Sequence, residues 1–375
     1  MQTVQRTYRY RFYPEPEQET ILAQTFGCAR YIYNHFLRVR TDAFYQEGKR
    51  VGFNDTCKLL TELKQQPGSL WLQECSNVVL QQALRNLDTA FKNFGQGRAK
   101  YPTFKTRDGR QSARYTTSGF RWKNGEIWLA KMEAPLNIRW SRSFTGTPGS
   151  VTVGKDPAER YFISILVEES VELLPITGRQ VGVDLGLKDI AVLSTGEKIP
   201  NPRHLAKLEK RLAKAQQRLA KKQKGSANRQ KAKAKVAKIH TRIADARQDY
   251  THKLTTRLVK ENGFLAAESL QVKNMVRNGA LAKSISDAAW GKFVRQLEYK
   301  SHWYGRTFVR IDKFYPSSKR CSACGHILES LTLDVRQWTC PECGTTHDRG
   351  QNAAQNILSA GKTVLAGADK LRQHE

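Results

Sequence analysis

Residues 181–192 read VGVDLGLKDIAV: an apolar strand, an acid set between Gly182 and Gly186, and a second apolar strand. A carboxylate in an apolar strand is costly unless a cation or hydrogen-bond donors meet it, so Asp184 needs a reason. The stretch FLAAESL at 264–270 sets Glu268 into another apolar strand in the same way. HDRGQNAAQNI at 347–357 opens the last helix with Asp348 near its start, while Ala353, Ala354 and Ile357 face a core. Singly, each acid has a plain reading: a satisfied core carboxylate, or an ordinary N-cap. Together, acids arriving from two strands and a late helix suit Mg²⁺ ions that activate water and stabilise the leaving oxygen of a phosphodiester.

The seven cysteines fall into two groups. Cys28, Cys57 and Cys75 are scattered and read as reduced, mostly buried thiols. Cys321, Cys324, Cys340 and Cys343 form CSAC and CPEC, each followed by glycine, with fifteen residues between the pairs. Two-residue spacing lets a tight turn aim both sulfurs at one ion, and two such knuckles complete a tetrahedron. The expectation is a Cys₄ zinc site with a structural role, since no coordination position is left open for chemistry.

Charge points to the partner. The 375 residues carry 63 Lys and Arg against 34 Asp and Glu, a net +29, and the pI is about 10.0. Such an excess implies a polyanionic partner. The length allows two or three domains. No apolar run approaches the ~20 residues that span a bilayer, and MQTVQRTYRYRFYPEPEQ has no signal-peptide core, so no membrane association and a cytoplasmic location are expected. About half the excess lies in one segment: Arg203 to Arg247 holds sixteen Lys and Arg and two acids, Glu209 and Asp245. Leu205, Leu208, Leu212, Ala215 and Leu219 step by three and four residues. Lys224-Gly225-Ser226 turns the chain, and Ala232, Val236, Ile239, Ile243 and Ala246 return the seam. The reading is a helical hairpin whose outer faces contact phosphate backbone, through Lys207, Lys210, Arg211, Lys214, Arg218, Lys221, Lys222, Arg229 and Lys233.

The first half divides by periodicity. Tyr8, Tyr10 and Phe12 alternate with Arg9 and Arg11 in a strand from Val4 to Tyr13, which Pro14 and Pro16 end. Leu22, Phe26, Ala29, Tyr33 and Phe36 then mark a helix. A second runs from about Ser76 to Phe94, with Leu80, Leu84, Leu87, Phe91 and Phe94 inward and Gln81, Gln82, Arg85 and Lys92 outward. Gly95 to Ser112 reads as a loop. From Ala113 to Val171 short strands alternate with turns at Asn124-Gly125, Gly146 to Gly149 and Asp156-Pro157. The strand at Tyr8 is expected to join this β domain, with the helices inserted between.

These motifs, in this order, resemble the TnpB family of insertion-sequence proteins, relatives of the type V CRISPR effector nucleases. The resemblance covers essentially the whole chain. It rests on YRFYPEPEQ, ARYIYNHFL, YPTFK, GVDLGLKDIAV, the basic hairpin, ISDAAWGKFVRQLEYK, YPSSKRCSACG and WTCPECGTTHDRGQNAAQNI. It implies an α/β multidomain protein: an RNase H-like (RuvC) nuclease domain with an inserted Cys₄ zinc ribbon, and a split OB-like β barrel with a helical recognition insert. The implied divisions are residues 1–13 and 101–175 for the barrel and 14–100 for the recognition domain. The nuclease domain takes 176–316 with its hairpin at 203–258, the ribbon 317–346, and the last helix and tail 347–375. Family members use a guide RNA from the transposon end, bind double-stranded DNA beside a short adjacent motif, and cut it with Mg²⁺.

Carried over by motif, Asp184 matches the first catalytic acid and Glu268 the second, both as magnesium ligands, and the four ribbon cysteines match the zinc ligands. The helix from Asn77 to Gln82 matches the segment that reads the adjacent motif, with Asn77 and Gln81 the candidate contacts. The third acid departs. The family motif resembles DRDxNAA, with the catalytic carboxylate two residues before the Asn; here that Asn is Asn352 and the position is Gly350. Either Asp348 serves as a substitute third acid, or the site is incomplete and the protein is a nuclease-impaired RNA-guided DNA binder or repressor.

Overall fold

A computed structural model describes residues 1–332 and 334–372, with side chains up to residue 367. The chain divides into two compact units, residues 3–170 and residues 171 onward, the latter including Met1 and Gln2. Among the described residues no helix is long and apolar enough to cross a membrane.

The first unit opens with strand β1 (Gln2–Phe12) and helices α1 (Pro16–Glu47) and α2 (Phe53–Leu63). A 3₁₀ turn (Pro67–Glu74) leads to α3 (Asn77–Gly95). Strands β2 (Gln111–Thr116), β3 (Phe120–Lys123), β4 (Glu126–Leu129), β5 (Ile138–Arg139), β6 (Pro148–Lys155) and β7 (Tyr161–Val171) follow. The main sheet has the order β2-β6-β7-β1-β5, so β1 joins strands that come after the helices, the arrangement expected for it; the alternation itself predicts only that it is a strand. Val4, Tyr8, Tyr10 and Phe12 of β1, and Tyr161, Ile163, Ile165 and Val167 of β7, are buried on the inward-facing side of each strand. One buried position of β7 is an acid: Glu169 accepts 2.7 Å hydrogen bonds from Arg6 Nη1 and from the Tyr8 hydroxyl.

Helix α3 differs from expectation at two places. Gln82, expected outward, is buried, and Phe94, expected inward, is 44 % exposed. Phe94 meets Tyr101 edge-on instead, with ring centroids 5.2 Å apart. The apolar spacing located the helix. Its packing against α1 and β2 decided where the buried stripe stops.

The second unit is built on a five-stranded sheet. Its chain order is β8 (Gln180–Asp184), β9 (Asp189–Leu193), β10 (Lys198–Pro200), α4 (His204–Ala220), α5 (Ala227–Glu261) and β11 (Phe264–Glu268). Helices α6 (Val272–Met275), α7 (Gly279–Ala288) and α8 (Trp290–Trp303) lead to β12 (Thr307–Ile311), β13 (Gln337–Thr339), β14 (Thr346–Asp348) and α9 (Arg349–Arg372). The sheet order is β10-β9-β8-β11-β12. Strand β11 is parallel to both β8 and β12, whereas β9 is antiparallel to β8.

The central strands are covered on both faces, which is why they read as unbroken apolar runs. Val181, Val183, Leu265 and Ala267 pack with Leu254 and Leu258 of α5 and Phe293 and Leu297 of α8. Phe264 and Ala266 pack with Ile357 of α9. Helix α9 lies so close that a Cβ at Gly182 would collide with its backbone at Ala354. A Cβ at Gly361 would come within 2.6 Å of Ala266 Cβ. These two glycines let the last helix rest directly on the strands that carry the acids.

Candidate functional site

Parallel pairing sets the acids side by side. Ala267 of β11 pairs with Val183 of β8, so Glu268 and Asp184 follow at the same carboxyl edge of the sheet. That edge is where open α/β sheets place ligands. Burial pushes the Asp184 carboxyl up to about 7, and the neighbouring Glu268 adds to the rise. Arg349 opposes it, and Asp348 raises it further. Burial also raises Glu268, partly offset by a hydrogen bond that Ser317 Oγ donates to Glu268 Oε1. Two desolvated carboxylates side by side form a donor set suited to a hard divalent cation.

Asp348 is differently engaged. Its Oδ2 accepts a 2.6 Å hydrogen bond from Lys198 Nζ, and its Oδ1 accepts one of 3.0 Å from the backbone N–H of Gln351, capping α9. Burial alone would raise this carboxyl, but Lys198 and the helix amides hold it below the usual range. Among the described residues, the only group of three or more His, Cys, Asp and Glu ligand atoms within 4.8 Å of one another is the set of four cysteines. Asp348 therefore does not close a three-acid cluster in this conformation. Gly350 sits where the start of α9 approaches β9. A Cβ there would lie 3.0 Å from Val192 Cγ2, and Val192 is the cross-strand partner of Asp184.

The four cysteines converge as their spacing predicted. Cys321 and Cys343 sulfurs are 3.7 Å apart, and Cys324 and Cys340 are 3.6 Å apart. Four sulfurs at about 2.3 Å from a central zinc would stand about 3.8 Å from one another, so the set fits that ion. Both knuckles close alike: Gly325 N–H donates to Cys321 O and Gly344 N–H to Cys340 O, each glycine at positive φ, +83° and +71°. The buried His347 adds a ring nitrogen 3.0 Å from Cys321 Sγ.

Helices α4 and α5 pack through buried Leu212, Ile239 and Ile243, the predicted seam. Between them runs a cleft of about 510 Å³, lined by Arg211, Lys214, Arg218, Lys235, Lys238 and Arg242 and by no acid. Three of these cations were singled out from sequence; Lys235, Lys238 and Arg242 were not. Their shared face follows from helix geometry once the register of the two helices is known. Lys207, Lys210, Lys221, Lys222 and Lys233 lie elsewhere on the hairpin. Arg229 has a structural task instead: its Nη1 donates to the carbonyls of Leu219 and Lys222, satisfying the end of α4.

On α3, Asn77 and Gln81 are exposed one turn apart, and Asn77 Oδ1 accepts a 3.0 Å hydrogen bond from Lys64 Nζ. No role is assigned by sequence to Ser317, Lys198 or Asn356, and Asn352 serves there only to place Gly350. The two asparagines were visible as polar residues on the apolar face of the last helix, which was the available signal.

Known proteins share these features. The OrfB_IS605 family model, described as a probable transposase, matches residues 163–279. A Cas12f1-like TNB domain matches residues 290–357, and a helix-turn-helix domain of the OrfB_IS605 type matches residues 1–49. Within residues 1–49 the chain forms β1 and the single unbroken helix α1. A Streptomyces pristinaespiralis protein whose name carries the words RNA-guided DNA endonuclease is 50 % identical, over 99 % of this chain and 93 % of its own length. InsQ of Escherichia coli strain K12, whose name carries the same words, is 32 % identical over 96 % of this chain and 93 % of its own. The fold resembles a chain in the solved structure of a Cas12f1–sgRNA–target DNA complex, with a TM-score of 0.59, 12 % identity, and coverage of 95 % of this chain and 98 % of that one. The chain belongs to the TnpB (OrfB) family of insertion-sequence-encoded RNA-guided nucleases.

Proposed function

We propose that this protein is an RNA-guided binder of double-stranded DNA, directed by RNA from its transposon end to targets beside a short adjacent motif, in which cleavage is impaired. One observation carries the second half of this reading. The position that should supply the third carboxylate is Gly350, and Asp348, the nearest acid in sequence, is held by Lys198 and by the start of α9. The second unit is read as an RNase H-like (RuvC) nuclease fold, supported by its sheet order and by the two acids at one strand edge.

Asp184 and Glu268 would hold Mg²⁺, and Cys321, Cys324, Cys340 and Cys343 would hold a structural zinc. Mg²⁺, when bound, supplies an activated water and charge stabilisation at the leaving oxygen. The protein's part is to set both carboxylates side by side at the carboxyl edge of the sheet, where a bound divalent ion would favour their charged forms. The hairpin cleft and α3 would each supply a surface of its own: six cations for phosphates on the first, and Asn77 and Gln81 for base edges in the adjacent motif on the second.

A second reading, full cleavage with Asp348 as the third ligand, draws on the electrostatic effect of Asp348 on Asp184. The two separate cleanly. Ribonucleoprotein assembled with transposon-end RNA should bind a matched target tightly and cut it slowly in Mg²⁺. Gly350→Asp should then raise the cleavage rate by roughly 10²–10³-fold, the scale of one missing transition-state stabiliser. Asp348→Asn should leave the slow rate unchanged. Wild-type cleavage as fast as that of Gly350→Asp, and abolished in Asp348→Asn, would establish the second reading. Absence of guide-dependent binding would refute both.

A further inference from the structure

The ribbon and the acid site are joined by a continuous chain of hydrogen bonds. Ser317 lies four residues before the first zinc-knuckle cysteine, is buried, and donates its hydroxyl to Glu268 Oε1. Its own carbonyl accepts a 2.9 Å bond from Asn356 Nδ2. The same amide donates to Arg320 O at 2.6 Å, and Asn352 Nδ2 donates to that carbonyl at 2.7 Å. Asn352 Oδ1 accepts from the backbone N–H of Ser322, inside the CSAC knuckle, at 2.9 Å. Asn352 and Asn356 are 1 % and 4 % exposed, one turn apart on α9. Buried amides persist where they are satisfied, and these bonds all go to the 317–322 segment. That segment is tightened by Pro316, whose carbonyl accepts from the N–H groups of Lys319 and Arg320.

We propose that Ser317 is a positioning residue for the divalent-ion site, and that zinc in the ribbon sets its position. The knuckle, locked to α9 by Asn352 and Asn356, holds the Ser317 hydroxyl on one carboxylate oxygen of Glu268 and leaves the other directed to the ion. Loss of zinc releases the knuckle and, through it, Glu268. The ribbon thereby tunes a site formed by a different sheet. This inference rests on Asp184 and Glu268 being the ligands of the divalent ion.

The test is Mn²⁺ binding to the full-length, zinc-loaded protein, followed by electron paramagnetic resonance, with zinc content measured for each variant. Wild type should bind Mn²⁺, and Asp184→Asn should abolish it. Ser317→Ala should retain zinc yet weaken Mn²⁺ binding by roughly 10–100-fold, the usual cost of losing a partner that orients a ligand. Ser317→Thr, which keeps the hydroxyl, should restore affinity to within a few-fold of wild type. Cys324→Ser, which removes an exposed zinc ligand away from Glu268, should lower zinc content and Mn²⁺ affinity together. Wild-type affinity in Ser317→Ala, or in a zinc-free Cys324→Ser, overturns the proposal while leaving the acid site standing. Absence of Mn²⁺ binding in wild type, or its persistence in Asp184→Asn, overturns the acid site and the proposal with it.

Discussion

Replacing Asp184 with asparagine should stabilise the protein in the absence of a divalent ion, by an amount that depends on pH. The carboxyl is raised from 3.8 to about 7, mainly by burial and then by Glu268. At about 1.36 kcal/mol per unit, three units correspond to roughly 4 kcal/mol, an upper figure because local relaxation lowers it. The sign follows from proton binding. Between about pH 4 and 7 the folded protein keeps a proton that the unfolded chain has released, so raising pH through that window costs stability. Above pH 7 the full cost is present, and below about pH 4 none is. Asparagine keeps the shape without the charge, so Asp184→Asn should exceed wild type by up to ~4 kcal/mol at pH 8 and converge with it towards pH 4. For a unit of this size that is at most roughly 8–16 °C in melting temperature. Calorimetry across pH with no divalent ion added reads the difference directly. Mg²⁺ should then narrow the gap, stabilising wild type by about 2.7 kcal/mol at a hundredfold excess over Kd and leaving the variant unmoved. A difference that stays constant between pH 5 and 8, or equal Mg²⁺ stabilisation of both proteins, would refute the reasoning.

Other consequences are as concrete. Lys300 is buried, donates to His252 O, Thr255 Oγ1 and Thr256 Oγ1, and is pushed down to about 8 by burial. Its folded form releases a proton that the unfolded chain holds up to 10.5, so the unfolding free energy from denaturant titrations should rise with pH from 8 to 10.5 in wild type relative to Lys300→Met, by about 3 kcal/mol in total. Alanine at Arg211, Lys214, Lys235 and Arg242 together should flatten the dependence of nucleic-acid affinity on salt, by about 0.7–0.9 in log–log slope for each phosphate no longer neutralised; an unchanged slope in salt titrations would exclude the cleft. At position 350 a new Cβ meets Val192 at 3.0 Å, so Gly350→Asp combined with Val192→Ala should cut faster than Gly350→Asp alone, as single-turnover kinetics would show.

Much of the site could be read from local sequence because its signals are local. The CxxCG knuckles need only a tight turn with glycine at positive φ, and Gly325 and Gly344 supply it. The strands around Asp184 and Glu268 declare themselves by apolar residues on both faces. The hairpin declares itself by a seam at three- and four-residue steps. Partners distant in sequence were not legible. Lys198 and Asp348 are 150 residues apart, and Ser317 and Glu268 are 49. Nothing in either segment specifies the other; the strand order and the approach of α9 bring them together. Glu169 is illegible from local sequence for the same reason, its partners Arg6 and Tyr8 lying in β1.

By itself, then, the sequence determined which residues can do chemistry: two acids in apolar strands, four cysteines at ligand spacing, a hairpin carrying about half the net charge, and a glycine where a third acid belongs. These are properties of residue type and short-range period. The tertiary structure decided what each can do. Parallel register set Asp184 beside Glu268, Lys198 and the helix cap engaged Asp348, and two buried asparagines tied the ribbon to the acid edge. Hydrogen bonds and ion pairs act over a few ångströms, and only folding decides which side chains come that close.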